Sequence, residues 1–331
     1  MKSILLAGAV LAAVFGMASA PAQAQQNWPS QNITLVVPLA AGTGMDLISR
    51  IYAERLQQAL GRPVVVENRP GASLTLGAVA VSKSEPDGYT LGVAAASVLT
   101  SNPILKKSVP YDADKDFMPI ALYAKSPFVL TVGAGLGVSS VQEFLALAKK
   151  RQAAGNPLSY ASLGPGAVQH VSMEMLKLQH DVEIMHVPYT STPQAVQDIM
   201  SGHVAAGFTE IGAALGLIND GKLRALAVGS SKELPVLPNV KPVAEVGNMP
   251  GFELESWHIL LTHAKTPRPI VERLQTEMRK IMADKSVQDR ITNMGLVVND
   301  GGSVEQINAF VSSETKKWTN FLRILKLEGT Q

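Results

Sequence analysis

The chain has 331 residues and contains no cysteine. This absence excludes disulfide bonds, zinc–thiolate and iron–sulfur sites, a cysteine nucleophile and a lipid-modified N-terminal cysteine. Aromatic residues make up only 5% of the chain, too few for a surface that stacks nucleic-acid bases. The 29 basic and 27 acidic side chains nearly balance, so no excess of charge directs the chain to nucleic acid or to anionic lipid. We therefore expect no nucleic-acid partner.

Motifs that would hold a cofactor or carry out catalysis are incomplete. The six histidines form no His-Glu-x-x-His pair, so no metal site is predicted. The stretch from Gly216 to Lys222 has P-loop spacing, but Leu223 stands where a hydroxyl residue should hold magnesium. The turn from Gly42 to Gly44 begins a dinucleotide fingerprint without its third glycine. We expect no cofactor and no enzymatic activity; a hydrolase or lyase is the alternative, with Ser162 and His170 as its only candidate residues.

The first 24 residues have the features of a secretory signal peptide. Lys2 precedes an apolar run from Ile4 to Phe15, and Ala22-Gln23-Ala24 fits the small-x-small rule for cleavage. The run has about 12 residues, whereas a membrane-spanning helix needs roughly 20. We therefore predict that residues 1–24 are a signal peptide cleaved after Ala24, and not a membrane anchor. The mature protein is expected to be exported without insertion in the membrane.

Short β-branched runs alternate with amphipathic helical patterns along the rest of the chain. Ile33 to Val37 is typical of a buried strand, and the helix predicted from about Asp46 carries an apolar stripe that Gly61 ends. Further strands are predicted at 128–132, 158–161, 184–187, 204–208 and 223–228. Alternation of this kind predicts an α/β fold with largely parallel sheets. The length of the chain is that of two domains or one large one.

Four loops of glycine and hydroxyl residues each follow a predicted strand and precede a predicted helix. They are Ala40-Ala41-Gly42-Thr43-Gly44, Ser162-Leu163-Gly164-Pro165-Gly166, Tyr189-Thr190-Ser191-Thr192 and the segment from Thr209 onward; a fifth loop, Ala94 to Asn102, carries Ser97. Open α/β sheets bind ligands beyond the carboxyl ends of their strands, where helix N-termini offer free N–H groups and a partial positive charge. The loops contain no Arg or Lys, and Asp46 and His170 are their charged candidates. We therefore predict a cleft in which main-chain amides bind an anion.

Each of these loop features has a purely structural alternative. The glycines could serve only to make turns between strands and helices. Asp46 has the position of an N-cap for the first helix, a role compatible with shaping a binding site. His170 could equally be a turn or core residue. Four loops in equivalent positions on both halves of the chain nevertheless favour a shared cleft.

Several longer motifs occur in a fixed order along the chain. They are Pro38-Leu39-Ala40-Ala41-Gly42-Thr43-Gly44-Met45-Asp46, Val64-Val65-Val66-Glu67-Asn68-Arg69-Pro70-Gly71-Ala72, Pro86-Asp87-Gly88-Tyr89-Thr90, His186-Val187-Pro188-Tyr189, Gly221-Lys222-Leu223-Arg224 and Pro250-Gly251-Phe252-Glu253 with Trp257. Together they resemble the extracytoplasmic solute receptors of tripartite tricarboxylate transporters, known as Bug receptors. The resemblance covers about residues 28 to 325.

The resemblance implies a two-lobed periplasmic binding protein of type II, a Venus flytrap fold with two crossover connections. Lobe one would comprise residues 25–124 plus 257–331, and lobe two residues 125–256. The implied function is a periplasmic receptor that captures a small carboxylate-containing metabolite between the lobes for the inner-membrane permease subunits of a transporter. A signalling receptor that contacts a sensor protein when loaded is the alternative. The family also implies a monomer.

By position, the resemblance implies which residues face the ligand. The implied set is Ala40, Ala41, Gly42, Thr43, Gly44, Asp46, Ser97, Ser162, Gly164, Gly166, His170, Tyr189, Thr190, Ser191 and Thr209. The chain departs from the family pattern at Thr43, where a glycine is usual, and at Ala205, where an aspartate is usual. A further acidic position of the family is occupied by Thr209, beside Glu210. These departures argue against a bare dicarboxylate held in the family's common pose.

Overall fold

The computed structural model describes residues 28–330. The predicted signal peptide and its cleavage site lie outside these residues. The strands are β1 Ile33–Val37, β2 Val64–Asn68, β3 Thr90–Ala95, β4 Phe117–Gly133, β5 Leu158–Ser162, β6 Ile184–Pro188, β7 Ala206–Glu210, β8 Leu223–Val228, β9 Glu255–His263 and β10 Val297–Gly301. The α-helices are α1 Gly44–Leu60, α2 Thr75–Ser82, α3 Ala96–Leu99, α4 Ser101–Leu105, α5 Val141–Ala153, α6 Val168–His180, α7 Thr192–Ser201, α8 Ile211–Asn219, α9 Val243–Val246, α10 Arg268–Ala283, α11 Lys285–Thr292 and α12 Val304–Ile324.

Local sequence signals explain where α1 begins and ends. The Thr43 side chain accepts a hydrogen bond from the Asp46 amide, and Gly61 adopts the left-handed conformation that closes the last turn. Thr43, and not Asp46, is therefore the N-cap, and the helix starts two residues earlier than predicted. The apolar stripe of the helix is buried, as its spacing predicts, at Ile48, Ile51, Tyr52, Leu56 and Leu60.

Two halves of the β-structure repeat the same strand order. The first half is ordered β2-β1-β3-β9-β4 and the second half β6-β5-β7-β4-β8. β1 runs parallel to β2 and β3, and β5 runs parallel to β6 and β7. The pairings made by β4, and the pairing of β3 with β9, are antiparallel. The α/β prediction is confirmed, with parallel strands in both halves and antiparallel strands where the halves join.

The two halves are joined along β4, a strand of 17 residues. Phe117 to Pro127 pair with β9, and Phe128 to Gly133 pair with β7 and β8. At the change of partner, the Phe128 amide donates to the Leu254 carbonyl and the Gly229 amide donates to the Phe128 carbonyl. The strand predicted at 128–132 is therefore only the second part of β4. The first part was not predicted because polar residues and two prolines interrupt its apolar pattern.

The carboxyl ends of the parallel strands point toward this junction. β3 runs opposite to β9, which starts at the junction, and β1 runs with β3. β7 runs opposite to the second part of β4, which leads away from the junction, and β5 runs with β7. The segments that follow these strands therefore emerge at two sheet edges on either side of the junction. The loops predicted to bind a ligand start at these edges.

Each half has an apolar core, and two helices, α4 and α12, link the first half to the core of the second. α1 and α10 cover the first half of the sheet, and α5 and α6 cover the second. Leu105 of α4, which precedes β4 in the chain, packs in the core of the second half. α12 contributes Ile307 to the first half and both Trp318 and Leu322 to the second. Within residues 28–330, no helix combines the length and the apolar character needed to cross a bilayer.

Candidate ligand-binding site

In the first half, Asp46 organises the turn between β1 and α1. Its side chain is almost fully buried and accepts hydrogen bonds from the Gly42 amide at 2.8 Å, from Arg50 Nε at 3.0 Å and from Asn68 Nδ2 at 2.9 Å. Burial by itself would raise the pKa of Asp46, but these donors outweigh burial and hold the pKa below its ordinary value. The carboxylate is ionised and bonded to protein donors, so its role in this structure is to fix the turn.

The turn leaves the first amides of α1 without an acceptor. The first N–H groups of a helix have no intrahelical partner. In α1, the Asp46 amide is bonded to Thr43 Oγ1 and the Leu47 amide to the Thr43 carbonyl. The amides of Gly44 and Met45 have no acceptor among the described residues. The predicted residues that are exposed beside them are Ala40, Ala41 and Gly42.

In the second half, Ser162 and His170 organise the turn between β5 and α6. Ser162 Oγ lies 2.6 Å from His186 Nε2 and accepts a hydrogen bond from the Gly164 amide at 3.0 Å. The Gly166 amide donates to His170 Nδ1 at 3.1 Å. Both glycines have positive φ angles, 111° at Gly164 and 75° at Gly166, which other residues adopt only with strain. The amides of the two predicted glycines are therefore engaged within the protein.

The start of α6 provides further uncommitted amides on this side of the junction. Ala167 is the N-cap of α6 and makes no side-chain hydrogen bond to the helix. The amide of Val171 is bonded to the Ala167 carbonyl, as in any first helical turn. In the described part of the chain, the amides of Val168, Gln169 and His170 have no acceptor. The second half thus presents the same kind of donor group as the first.

A group of neighbouring aromatic rings adjoins the Ser162 turn. The His186 ring is 5.1 Å from the Tyr160 ring and 4.4 Å from the His170 ring, measured between centroids. Burial lowers the pKa of His170 to about 4 and shifts the pKa of His186 in the same direction. The Tyr160 hydroxyl donates to Glu174 at 2.6 Å. Both histidines are neutral at pH 7, so the second half supports its turn without a positive charge.

Tyr189 holds the end of β6 against the same turn. Its amide donates to the Ser162 carbonyl at 2.8 Å, and its hydroxyl donates to Asp198 at 2.8 Å. Burial, followed by the effect of Asp198, raises the pKa of Tyr189 to about 12, so the hydroxyl stays protonated at pH 7. Thr190 and Ser191 are exposed beside it, and Ser191 is an N-cap whose side chain makes no capping hydrogen bond. Their hydroxyl groups therefore face solvent at the sheet edge.

Two predicted site residues lie in a different local structure from the one expected. Thr209 is not in a loop; it lies within β7, is only 4% exposed, and its hydroxyl is 2.8 Å from that of Thr131. The burial of β7 continues through Thr209, and α8 begins directly after the strand ends at Glu210. Ser97 lies in the short helix α3 and not in an open loop. The Thr100 hydroxyl donates to the Ala96 carbonyl at 2.7 Å and closes that helical turn.

The two halves touch beside the candidate site. A Cβ on Gly166 would lie 2.5 Å from Leu105 Cδ1, so α4 of the first half packs directly against the Gly166 turn of the second. Asn102 of α4 donates from its side chain to the Ser73 carbonyl at 2.7 Å. These contacts bring the segments after β2, β3 and β5 into one region. Segments of both halves of the molecule therefore border the candidate site.

Residues that support the turns from behind were missed by sequence reasoning. Arg50 and Asn68 hold Asp46, and His186 holds Ser162. Arg50 could have been found, because it lies four residues after Asp46 on the same helix. No local pattern indicates the other two, since their partners are 22 and 24 residues away in the chain.

Comparisons with known proteins agree with this architecture. Residues 48–327 match the family described as tripartite tricarboxylate transporter family receptor. The chain is similar to the protein BugT of Bordetella pertussis, with 30% identity over 324 residues that cover 98% of this chain and 97% of BugT.

Two solved structures share the whole fold. An R. palustris protein solved with adipate is 30% identical to this chain and aligns with a TM-score of 0.82. The alignment covers 89% of this chain and 97% of that protein. MatC from Rhodopseudomonas palustris, with bound malate, is 29% identical to this chain and aligns with a TM-score of 0.78. The alignment covers 89% of this chain and 100% of MatC. Because the family match spans most of the chain and its relatives have the same two-lobed architecture, this protein belongs to the Bug receptors of the tripartite tricarboxylate transporter family, which bind substrates and are not enzymes.

Proposed function

We propose that this protein is a periplasmic receptor that binds a small carboxylate between its two halves and delivers it to an inner-membrane permease. The observation that carries the proposal is the set of uncommitted amides at the starts of α1 and α6, on edges that border the junction. The similar proteins solved with adipate and with malate support a carboxylate as the ligand class. The predicted signal peptide, residues 1–24, supports the periplasm as its location.

Helix N-termini can hold a carboxylate without a cationic side chain. Their N–H groups are free and carry a partial positive charge. Each hydrogen bond to a charged group contributes about 1.5–3 kcal/mol, so four would contribute roughly 6–12 kcal/mol before the costs of association. Micromolar affinity requires about −8 kcal/mol, which lies within reach. Arg50, beside the first turn, is committed to Asp46 and is not needed as a ligand donor.

We further propose that the halves are lobes that close on the ligand, with lobe one at 25–124 plus 257–331 and lobe two at 125–256. The change of hydrogen-bond partner at Phe128, Gly229 and Leu254 supports a hinge there. A Cβ on Gly229 would lie 2.4 Å from the Leu254 carbonyl oxygen, so only glycine fits where the chain at residue 229 packs against Leu254. Rotation about this hinge would bring the α1 and α6 amides to opposite ends of one ligand.

Isothermal titration calorimetry of residues 25–331 with amino, di-, tri- and aromatic carboxylates tests the proposal. We expect micromolar binding of at least one acid in the panel. Gly44→Pro removes one free amide at the first position of α1, where proline suits a helix and the extended Thr43 suits a following proline. We expect it to weaken binding at least tenfold. Lys285→Pro makes the same change at the start of α11 and should leave affinity unchanged; silence across the panel would contradict the proposal.

Delivery to a permease requires its own measurement. Loaded protein should co-sediment with membrane vesicles that contain the permease subunits and should do so less without the acid. Ligand-dependent binding to a sensor protein, with none to the permease, would instead support the signalling alternative.

A further inference from the structure

Glu210 is a carboxyl group without a charged partner at the junction end of β7. It is the last residue of the strand and the N-cap of α8, yet its side chain makes no capping hydrogen bond. Burial raises the pKa of Glu210, and the only neighbouring group that opposes this shift is Ser126. In residues 28–330, no lysine, arginine or histidine is placed to neutralise it. The protein itself therefore leaves this carboxyl uncompensated.

Glu210 shares a sheet face with the turn that supports α6. β5 and β7 are parallel, with Ala161 opposite Gly207, so Ser162 lies alongside Phe208 and Glu210 extends two residues further toward the junction. Side chains alternate between the faces of a strand, which places Glu210 on the face of Phe208. Phe208 packs in the core that α6 covers. Glu210 therefore lies on the face and at the edge where α6 presents its free amides.

Ser126 is a second polar group at this place with unused hydrogen-bonding capacity. It lies on β4 beside Glu210 and is 0% exposed. Its hydroxyl approaches the carboxyl but completes no hydrogen bond of normal geometry within the described chain. Buried polar groups in folded proteins are nearly always paired, because an unpaired one is costly. A carboxyl and a hydroxyl together suit a ligand group that brings several donors.

We propose that Glu210 and Ser126 bind an ammonium group, so that the ligand of this receptor is an amino acid. An ammonium supplies three donors and the positive charge that the carboxyl lacks, while the carboxylate of the same molecule binds the helix amides. A carboxylate in the place of the ammonium would instead meet a like charge at Glu210. This inference rests on the proposed function, because it assigns the second end of the ligand in the same cleft.

Calorimetry at pH 7.5 with ligand pairs that differ only in the amino group tests the proposal. The pairs are glutamate with glutarate, aspartate with succinate, leucine with 4-methylpentanoate and phenylalanine with 3-phenylpropanoate. In at least one pair, we expect the amino acid to bind at least tenfold more tightly than its counterpart. Glu210→Gln should remove this preference by weakening the amino acid at least tenfold, with the counterpart changed less than twofold. Glu183→Gln, at an exposed carboxylate, should change neither affinity.

A second variant distinguishes the loss of the ammonium site from a loss of folding. Ser126→Ala keeps the carboxyl and should weaken the amino acid about threefold or more, with an unchanged melting temperature. The proposal is overturned if the acids without an amino group bind as tightly as the amino acids, or if Glu210→Gln weakens both members of a pair equally; the carboxylate-receptor function then still stands. If no acid binds the wild-type protein, the proposed function fails as well.

Discussion

The two turns at the junction are supported by opposite means. In the first half, the ionised carboxylate of Asp46 is bonded to Arg50 and to main-chain and side-chain amides. In the second half, the neutral rings of His170 and His186 hold the turn. Both arrangements leave the first amides of the following helix without an acceptor. The comparison shows that the free amide donors are the feature common to both turns. Either a charged or an uncharged side chain can hold the turn that presents them.

Asp46→Ala should have the largest effect, because it leaves several donors in the first half without their acceptor. We expect a loss of about 2–4 kcal/mol in the free energy of unfolding, measured by urea denaturation. Asp220→Ala is the control, since Asp220 pairs with Lys222 on the exposed surface at 3.3 Å and such pairs contribute less than about 1 kcal/mol. Equal losses in the two variants would mean that the charged support is not a stabilising feature.

Substitution of the two glycines in the second half should separate strain in the turn from contact between the halves. Gly164→Ala and Gly166→Ala both place a side chain at positive φ, which costs about 1–2 kcal/mol. Only Gly166→Ala also meets Leu105, whereas Gly164 has open space. We expect Gly166→Ala to lose roughly 1–2 kcal/mol more, by urea denaturation.

A double-mutant cycle checks the origin of that difference. Leu105→Ala should recover part of the extra loss in the Gly166→Ala background, because it removes the atoms that the new methyl group meets. Strictly additive effects of the two substitutions would count against a direct contact between the halves at this point.

The neutral support should make the Ser162 turn of the second half more sensitive to mild acid than the Asp46 turn of the first half. Burial lowers the pKa of His170 to about 4, against about 6.5 in the unfolded chain. The unfolded chain takes up the proton first, so the contribution is complete above about pH 6.5 and is lost as the pH falls toward 4. Between pH 7 and pH 5, we expect a loss of roughly 1–2 kcal/mol from this group in urea denaturation.

His170→Gln provides the matched comparison, because it should lose less stability than the wild type over the same range. The buried His258, whose pKa is also lowered to about 4, contributes with the same sign in both proteins. The lowered pKa of Asp46 makes its contribution insensitive until the pH falls below about 4. The same pH dependence in wild type and His170→Gln would argue against a neutral histidine support.

The smallest expected effect separates helix capping from ligand binding. Thr43 caps α1 at the candidate site, and Ser140 caps α5 away from it, in each case by accepting the amide hydrogen bond of the third helical residue. Thr43→Ala and Ser140→Ala should each cost about 1 kcal/mol in urea denaturation. Only Thr43→Ala should also weaken ligand binding in calorimetry, by a few fold. A similar loss of affinity in Ser140→Ala would show that global stability, and not the turn, sets the affinity.

Individual residues show which features of the fold and of the candidate site can be predicted from the sequence. Strand β1 and the apolar stripe of α1 follow from local periodicity and are confirmed. The prediction of a loop that starts at Thr209 is wrong. Hydroxyl residues also occur inside strands, and the Thr209 hydroxyl lies 2.8 Å from the Thr131 hydroxyl. Ser97 lies in a helix for a related reason, since a local hydroxyl–carbonyl bond closes the turn. The sequence does not single out Glu210, because a single acidic residue forms no periodic pattern.

The sequence by itself determined the alternation of strands and helices and the glycine turns at the strand ends, because periodicity and turn chemistry are properties of neighbouring residues. Only the tertiary structure decided which amides are engaged and which remain free. His186 reaches Ser162, and Asn68 reaches Asp46, only after separate strands lie side by side. Burial, which makes the histidines neutral and leaves Glu210 without compensation, likewise depends on segments that are distant in the chain.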